Sequence, residues 1–157
     1  MNVLKPRVAP GTAVEIRTAG DGALLSSFAP AGTVRAVALD GATAAVLVAD
    51  TTGKRIERYD ALRGVLLDAT PVPPATAPAV DADGSLVAFR VGRSIRVLDT
   101  VRRRMRHVWT ERRAPVSVSL EGTRLVWAMN GTRGGRIHGP RPSLISPVAA
   151  PRHRAAP

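Results

Sequence analysis

The sequence predicts an all-β fold of antiparallel four-stranded blades, forming a partial β-propeller of about three to three and a half blades. Three observations support this prediction. A unit made of a strand, an acidic residue with glycine, and a second apolar strand recurs along the chain. Apolar residues make up 45% of the 157 residues but aromatic residues only 3%, so the core must be aliphatic and rich in valine, which favours strands. No segment keeps apolar residues at helical spacing over three turns.

The repeat is clearest in three extended segments, at residues 34–41, 79–84 and 116–122, each of which contains an acidic residue followed by glycine. That pair suits a tight turn with a positive φ. The glycines Gly41, Gly84 and Gly122 are 43 and 38 positions apart. A four-stranded propeller blade takes about 40–45 residues, so each interval corresponds to one blade.

Each turn is followed by further strand signals. Three apolar stretches predict central strands at 44–49, 85–91 and 124–129. Residues 55–59 and 94–99 alternate, with arginine on alternate positions, which predicts third strands with one solvated face. Fourth strands are predicted around 64–68 and 105–109, and a proline-rich connector at 71–78.

These signals divide the chain into six parts. They are an N-terminal extension, a two-stranded half blade, three blades and a disordered Pro/Arg-rich tail, at residues 1–12, 13–29, 30–70, 71–112, 113–148 and 149–157. The alternative is a β-sandwich of hairpins, which also has short strands at regular spacing. The recurring order of strand, turn, apolar strand and alternating strand favours the propeller.

Residues 80–89 followed by 95–99 resemble a blade of the WD40-like β-propeller repeats typified by TolB, and the resemblance extends over about residues 34–139. It implies a non-catalytic interaction scaffold, often located outside the cytoplasm. The sequence differs from that family in lacking Trp-Ser-Pro before Asp-Gly. A closed ring also needs more blades than this chain holds, so the chain could be a fragment of a larger propeller with its function in the missing blades.

The net charge is +11, carried by 23 basic and 12 acidic residues, and all but two of the basic residues are arginine. A GC-rich coding sequence produces this bias without selection for binding, and the arginines are spread along the chain. The densest group is the candidate site for nucleic acid or another polyanion: Arg102, Arg103, Arg104, Arg106, Arg112 and Arg113. A solvated turn made cationic by composition is the favoured interpretation.

Two loops have weaker chemical signals. Residues 81–84, Asp-Ala-Asp-Gly, resemble the start of a calcium loop, but the twelfth position is Gly92 instead of an acid, so a strand turn is favoured and no metal site is predicted. The glycine-dense stretch 131–136 contains Arg133 and Arg136, which could contact a phosphate or an acidic side chain. A hairpin connection between two strands is the favoured interpretation of that loop.

No catalytic constellation is visible. Cysteine is absent, which excludes disulfides, thiolate catalysis and Cys-based zinc sites. His107, His138 and His153 have no spacing suited to a metal, and no nucleophile-elbow motif occurs. We therefore expect no enzyme activity and no cofactor. The longest strongly apolar run, residues 44–49, is too short to span a membrane, and neither a signal peptide nor a compartment is indicated.

The function predicted from these observations is a non-enzymatic scaffold that binds another protein. An incomplete ring exposes a sheet face at each end, so we also expect self-association through those faces. There are two alternatives. One is that the chain binds a polyanion, and the other is that it is a fragment of a larger propeller whose function resides in the missing blades.

Overall fold

The computed structural model describes residues 4–8, 13–131 and 134–139, which form strands and turns. The strands build four antiparallel sheets, called the first to fourth blades. The first blade contains β1 (Leu4–Val8), β2 (Val14–Thr18) and β3 (Leu24–Phe28). The second contains β4 (Thr33–Asp40), β5 (Thr43–Asp50), β6 (Gly53–Asp60) and β7 (Val65–Val72). The third contains β8 (Thr76–Asp83), β9 (Leu86–Val91), β10 (Ser94–Asp99) and β11 (Arg104–Thr110), and the fourth contains β12 (Ser117–Glu121), β13 (Arg124–Gly131) and β14 (Gly134–His138).

The blades follow one another around a common centre. In every blade the strands pair in chain order, so the first strand is at one edge and the last strand at the other. The first strands of successive blades contact each other, β1 with β4, β4 with β8, and β8 with β12. Sheets that stack through their first strands in this way define a partial β-propeller, which confirms the predicted fold class.

The acidic-glycine turns are where the sequence placed them. Gly41, Gly84 and Gly122 connect the first and second strands of the second, third and fourth blades, with φ of 53°, 57° and 56°. A residue with a side chain rarely adopts this φ, so glycine suits each turn. The three predicted central strands are confirmed as β5, β9 and β13. The two predicted fourth strands are confirmed as β7 and β11.

The core lies between the blades in three layers. Val14 and Ile16 of the first blade pack with Val46 and Val48 of the second. On the opposite face of β5, Leu47 packs with side chains of the third blade, including Val87 and Phe89. The third layer joins the third and fourth blades, with Ala88, Ile95, Leu125, Trp127 and Met129 among its members. Each middle blade therefore buries both of its faces.

This packing corrects the predicted solvated face of the third strands. Ile56 and Glu57 in β6 are both buried although they point to opposite faces of the sheet. Arg58, the next residue of the strand, is half buried. In β10, Ile95, Val97 and Leu98 are buried and Arg96 is half buried. The prediction was wrong because alternation with arginine suggests water on one face, whereas here a neighbouring blade covers it.

The N-terminal segment and the proline-rich connector also differ from the prediction. The first blade has three strands, since β1 lies in the predicted extension and pairs with β2 along its length. The connector between β7 and β8 is short, because Pro71 belongs to β7 and Pro78 to β8. Pro71 lies in the last strand of its blade, and Pro78 lies where the pairing of β8 with β9 shifts register, two positions at which a missing N–H is tolerated.

Within the described ranges, the structure contains no helix that is long and apolar enough to cross a membrane. The predicted tail at 149–157 lies outside the described residues.

Candidate interaction surfaces

Acidic residues at the turns connect each middle blade to the next one. The Gly84 amide donates a hydrogen bond to Oδ2 of Asp40 at 2.5 Å, and the Gly122 amide donates to Oδ2 of Asp83. A second bond at the latter junction runs from the Leu120 amide to Oδ2 of Asp81, at 2.8 Å. We call these carboxylate-to-amide contacts the blade clasps. A carboxylate that accepts from backbone amides makes a charge-assisted bond, so the clasps fix the innermost strands against each other.

The clasps show what the Asp-Ala-Asp-Gly segment does in the structure. Asp81 and Asp83 both use their carboxylates to bind the backbone of the fourth blade. Among the described residues, no group of three His, Asp or Glu side chains is placed to hold a metal ion.

An apolar group lies on the outer rim of the second blade. It consists of Leu62, in the turn after β6, and the first three residues of β7, Val65, Leu66 and Leu67, and we call it the apolar rim. All four side chains are about half exposed. β7 is the last strand of its sheet, so the apolar rim lies along an edge strand, which is a common place for a further strand to pair.

The six arginines predicted as a polyanion site lie on the outer rim of the third blade. Arg102 and Arg103 lie in the turn before β11, Arg104 and Arg106 lie in β11, and Arg112 and Arg113 follow it, all with exposed side chains. We call these six residues the basic rim. Only Arg102 has an acidic partner among the described ion pairs, with Nη1 2.8 Å from Oδ2 of Asp99. β11 is an edge strand, so its charges also protect that edge against pairing.

One aromatic side chain accompanies the basic rim. Trp109 in β11 is 44% exposed, and its ring centroid lies 6.5 Å from that of the buried Trp127. The indole N–H of Trp127 donates to Oε1 of Glu111 at 2.7 Å, which anchors that ring at the junction of the third and fourth blades. An exposed indole beside arginines is the arrangement on which a nucleic-acid base stacks.

The glycine-dense loop is a hairpin, as predicted. Gly131 at the end of β13 pairs with Gly134 at the start of β14. Arg136 is exposed in β14, paired with Met129, and Arg133 lies outside the described residues.

A buried polar network, which the sequence did not predict, joins the first and second blades. Glu57 is 4% exposed and accepts hydrogen bonds from Nε of Arg55 and from the Tyr59 hydroxyl, each at 2.6 Å. Arg55 also donates to the carbonyl of Ala31 at 2.6 Å, and the Tyr59 ring stacks on Phe28 with centroids 4.2 Å apart. Glu57 stands between Ile56 and Arg58 in a strand that the sequence predicted to be solvated on one face, so no local pattern marked it as buried.

The network also shifts two ionisation equilibria. Hydrogen bonds from the hydroxyl and the amide of Thr52, with Arg55 alongside, lower the pKa of Asp50 to about 2. Burial, together with the hydrogen bond to Glu57, raises the pKa of the Tyr59 phenol well above its usual value of 10. Both shifts favour the ionisation states that form these hydrogen bonds at neutral pH, which are a charged Asp50 carboxylate and an uncharged Tyr59 phenol.

Tyr59 is the single tyrosine of the chain, so its titration can be followed without interference. We expect the tyrosinate absorbance of the native protein to rise at a clearly higher pH than in denaturant, where the midpoint should be near 10. Because the folded-state pKa is raised, Tyr59 contributes stability that is present below pH 10 and is lost as the pH rises towards the folded-state pKa. Tyr59→Phe should remove both the signal and its share of the alkaline destabilisation. A native midpoint near 10 would contradict the buried network.

The four blades and their clasps place this chain in the class of propeller-type folds, and the comparison with solved structures agrees. The computationally designed protein Ika4 is similar with a TM-score of 0.62 and 13% identity, over 87% of this chain and 84% of that one. U3-55K is similar with a TM-score of 0.63 and 15% identity, over 85% of this chain and 44% of that one. Hydrazine synthase of Kuenenia stuttgartiensis is similar with a TM-score of 0.60 and 18% identity, over 82% of this chain and 40% of that one.

These likenesses show the fold alone, because the identities are low. The chain spans less than half the length of U3-55K and of the hydrazine synthase chain that it matches. No family model matches the sequence. No curated protein matches it either.

Proposed function

We propose that this chain is a non-enzymatic propeller scaffold of the WD40-like, TolB-type kind that binds another protein at its apolar rim. The observation that supports this proposal is a difference between the exposed side chains of two outermost strands, β7 and β11. β11 has exposed arginines at its edge, whereas β7 begins with three half-exposed aliphatic residues beside the exposed Leu62. Apolar side chains on an unpaired strand edge favour association, and charged side chains oppose it.

The proposed partner presents an extended apolar segment. Such a segment adds one strand to the second blade by pairing with the free edge of β7, and its alternate side chains contact the apolar rim. Main-chain hydrogen bonds supply part of the affinity and the aliphatic contacts supply the rest. Pro71, near the end of β7, has no N–H to offer, so the pairing is expected along residues 65–70 of the strand.

The test is affinity capture from an extract of the source organism, followed by a dissociation constant measured with the purified captured protein. The double variant L62S/L66S should bind at least tenfold more weakly than the unaltered chain. V101S is the matched control, since Val101 is an exposed aliphatic residue that belongs to the third blade, in the turn between β10 and β11. Equal binding by the double variant and the control would exclude the apolar rim as the binding surface.

Polyanion binding at the basic rim is the second candidate, favoured by the exposed Trp109 beside the arginines. The affinity of a labelled single-stranded oligonucleotide should then fall steeply with salt, and R104A/R106A should reduce the salt slope by about 1.4, or about 0.7 for each lost phosphate contact. R63A is the control, because Arg63 is exposed on the second blade. A salt slope that is the same for the double variant and the control would exclude this function.

A further inference from the structure

The third and fourth blades meet at an outer end where arginine and tryptophan side chains are exposed. Side chains that are directly paired across strands lie on the same face of a sheet. Trp109 pairs with Ile95, and Arg106 pairs with Val97. Ile95 and Val97 both belong to the core layer between the third and fourth blades. Trp109 and Arg106 therefore face the fourth blade, and so does Arg104, two residues before Arg106 in the strand.

The fourth blade adds two side chains to the same place. Arg136 and His138 of β14 pair with Met129 and Trp127, which belong to the same core layer. Both side chains of β14 therefore face the third blade. Arg136 is exposed, and the side chain of His138 is 39% exposed. We call this group of five the outer junction: Arg104, Arg106, Trp109, Arg136 and His138.

Contacts between the two blades fix the outer junction. Oε1 of Glu111, which follows β11, accepts the Trp127 indole N–H at 2.7 Å and lies 3.4 Å from Nδ1 of His138. The end of β11 is thereby joined to both β13 and β14. Trp109, two residues before Glu111, is 44% exposed, whereas the neighbouring ring of Trp127 is only 2% exposed. The outer junction therefore presents one exposed indole, backed by a buried one.

The pairing registers place Trp109 between two arginines along the propeller axis. The clasp of Asp83 aligns the first turns of the third and fourth blades. The row of paired residues that contains Arg106 includes the fourth residue after the turn glycine of its blade, and the row of Trp109 includes the sixth. The row of Arg136 includes the seventh residue after the turn glycine of the fourth blade. Arg106 and Arg136 thus lie on either side of the indole, about 10 Å apart along the strand direction.

The acidic side chains beside the outer junction are already engaged. Glu111 makes the contacts with Trp127 and His138, and Asp99, which lies opposite Arg104 in the sheet, pairs with Arg102. The described ion pairs include none of four arginines that face this junction, namely Arg90, Arg104, Arg106 and Arg136. The outer junction therefore carries an excess of positive charge.

Arg90 is the deepest of these four arginines. It pairs with Ile95, the residue opposite Trp109, so it lies in the same row two strands further in. Its Nη1 donates to the carbonyl of Gly92 at 3.0 Å, whereas its Nε is buried and has no acceptor among the described residues. A cation without an acidic partner adds positive potential, which attracts an anion to the exposed residues outside it.

We propose that the outer junction binds single-stranded nucleic acid, with one base stacked on Trp109 and phosphates bound by Arg106 and Arg136. Stacking of bases on exposed aromatic rings within a positively charged groove is how proteins bind single strands without reading their sequence. The bases of a duplex are stacked on each other and cannot use Trp109 in this way. This inference deepens the second candidate function, polyanion binding at the basic rim, and rests on it. It adds the fourth blade to the site and selects single strands as the ligand.

The test is the dissociation constant of a labelled single-stranded oligothymidylate, measured with the full chain by fluorescence anisotropy at several salt concentrations. We expect W109L to bind about fivefold more weakly or worse, because leucine is apolar but cannot stack on a base, whereas W109F should keep most of the affinity. R136A should reduce the salt slope by about 0.7, which corresponds to one phosphate contact. R63A, an exposed arginine of the second blade, is the matched control and should leave the slope unchanged.

The variants separate this site from the basic rim alone. If R104A/R106A weakened binding while W109L and R136A behaved like R63A, the outer junction would be overturned as the site and polyanion binding at the basic rim would stand. If the oligonucleotide did not bind, or no variant differed from R63A, both would be excluded. R136A provides the readout if circular dichroism shows that W109L is unfolded.

Two competitors test the class of ligand. An unlabelled single strand should displace the labelled one at a lower concentration than a duplex of the same length or polyglutamate, because only the single strand offers an unstacked base to Trp109. A duplex or polyglutamate that competed as well as the single strand would overturn the proposed ligand.

Discussion

Phe89→Ala should lower the free energy of unfolding by about 3–5 kcal/mol, the usual loss for a fully buried phenylalanine. Phe89 is 0% exposed and packs in the layer between the second and third blades, beside Leu47, Val87 and Leu98. The truncation removes apolar contacts from both blades and leaves a cavity between two rigid sheets. Domains of this size are stable by about 5–15 kcal/mol, so the variant should lose a large share of its stability.

The measurement is denaturant unfolding monitored by tryptophan fluorescence. The unfolding free energy is assumed to fall with denaturant concentration at the same slope in the variant and in the unaltered chain. Leu67→Ala is the control, since this side chain is about half exposed on the apolar rim and should change stability by less than about 1 kcal/mol. If the two variants lost equal stability, the layer between the second and third blades would not be the main core of the chain.

Glu57→Ala should have the second largest effect, a loss of about 2–4 kcal/mol. The carboxylate accepts two hydrogen bonds inside the junction of the first and second blades, so its removal leaves the Tyr59 hydroxyl and Nε of Arg55 without that acceptor. The loss stays below that of a fully buried ion pair because Arg55 keeps its contacts with Asp50 and Ala31.

Glu15→Ala provides the comparison. Glu15 also pairs with an arginine two residues away in a strand, but that pair is partly exposed, and its loss should be less than about 1 kcal/mol. Glu57→Gln keeps the side-chain shape and should be milder than Glu57→Ala. Equal effects of Glu57→Ala and Glu15→Ala on thermal or chemical unfolding would show that the junction does not depend on the buried carboxylate.

Much of the fold could be predicted because the turns are strong local signals. An acidic residue with glycine recurs at Gly41, Gly84 and Gly122, and the strands around each turn follow from apolar patterning. β1 could not be predicted, because its five residues, Leu4–Val8, include Lys5, Pro6 and Arg7 and carry little strand signal. It becomes a strand because β2 and β4 offer it a place in the stack.

The surfaces were harder to predict than the strands. The basic rim was visible as a cluster in the sequence, since its six arginines are close along the chain. The apolar rim was not visible, because Val65 to Leu67 resemble core residues until the last strand of the blade is known to lack a neighbour. Asp40 and Asp83 were predicted as turn residues. The clasps that they form with the next blade depend on the stacking of blades, which no local pattern encodes.

The layered core has a consequence for how such a chain can change length. Each described layer joins only two neighbouring blades, and each clasp joins the innermost strand of one blade, or the turn that follows it, to that of the next blade. Stability in an architecture of this kind is a sum over neighbouring units. Duplication of one unit between β11 and β12, about 40 residues, would therefore preserve every type of contact already present. Evolution can lengthen or shorten such a protein by whole units, and selection then acts chiefly on the two units that end the series.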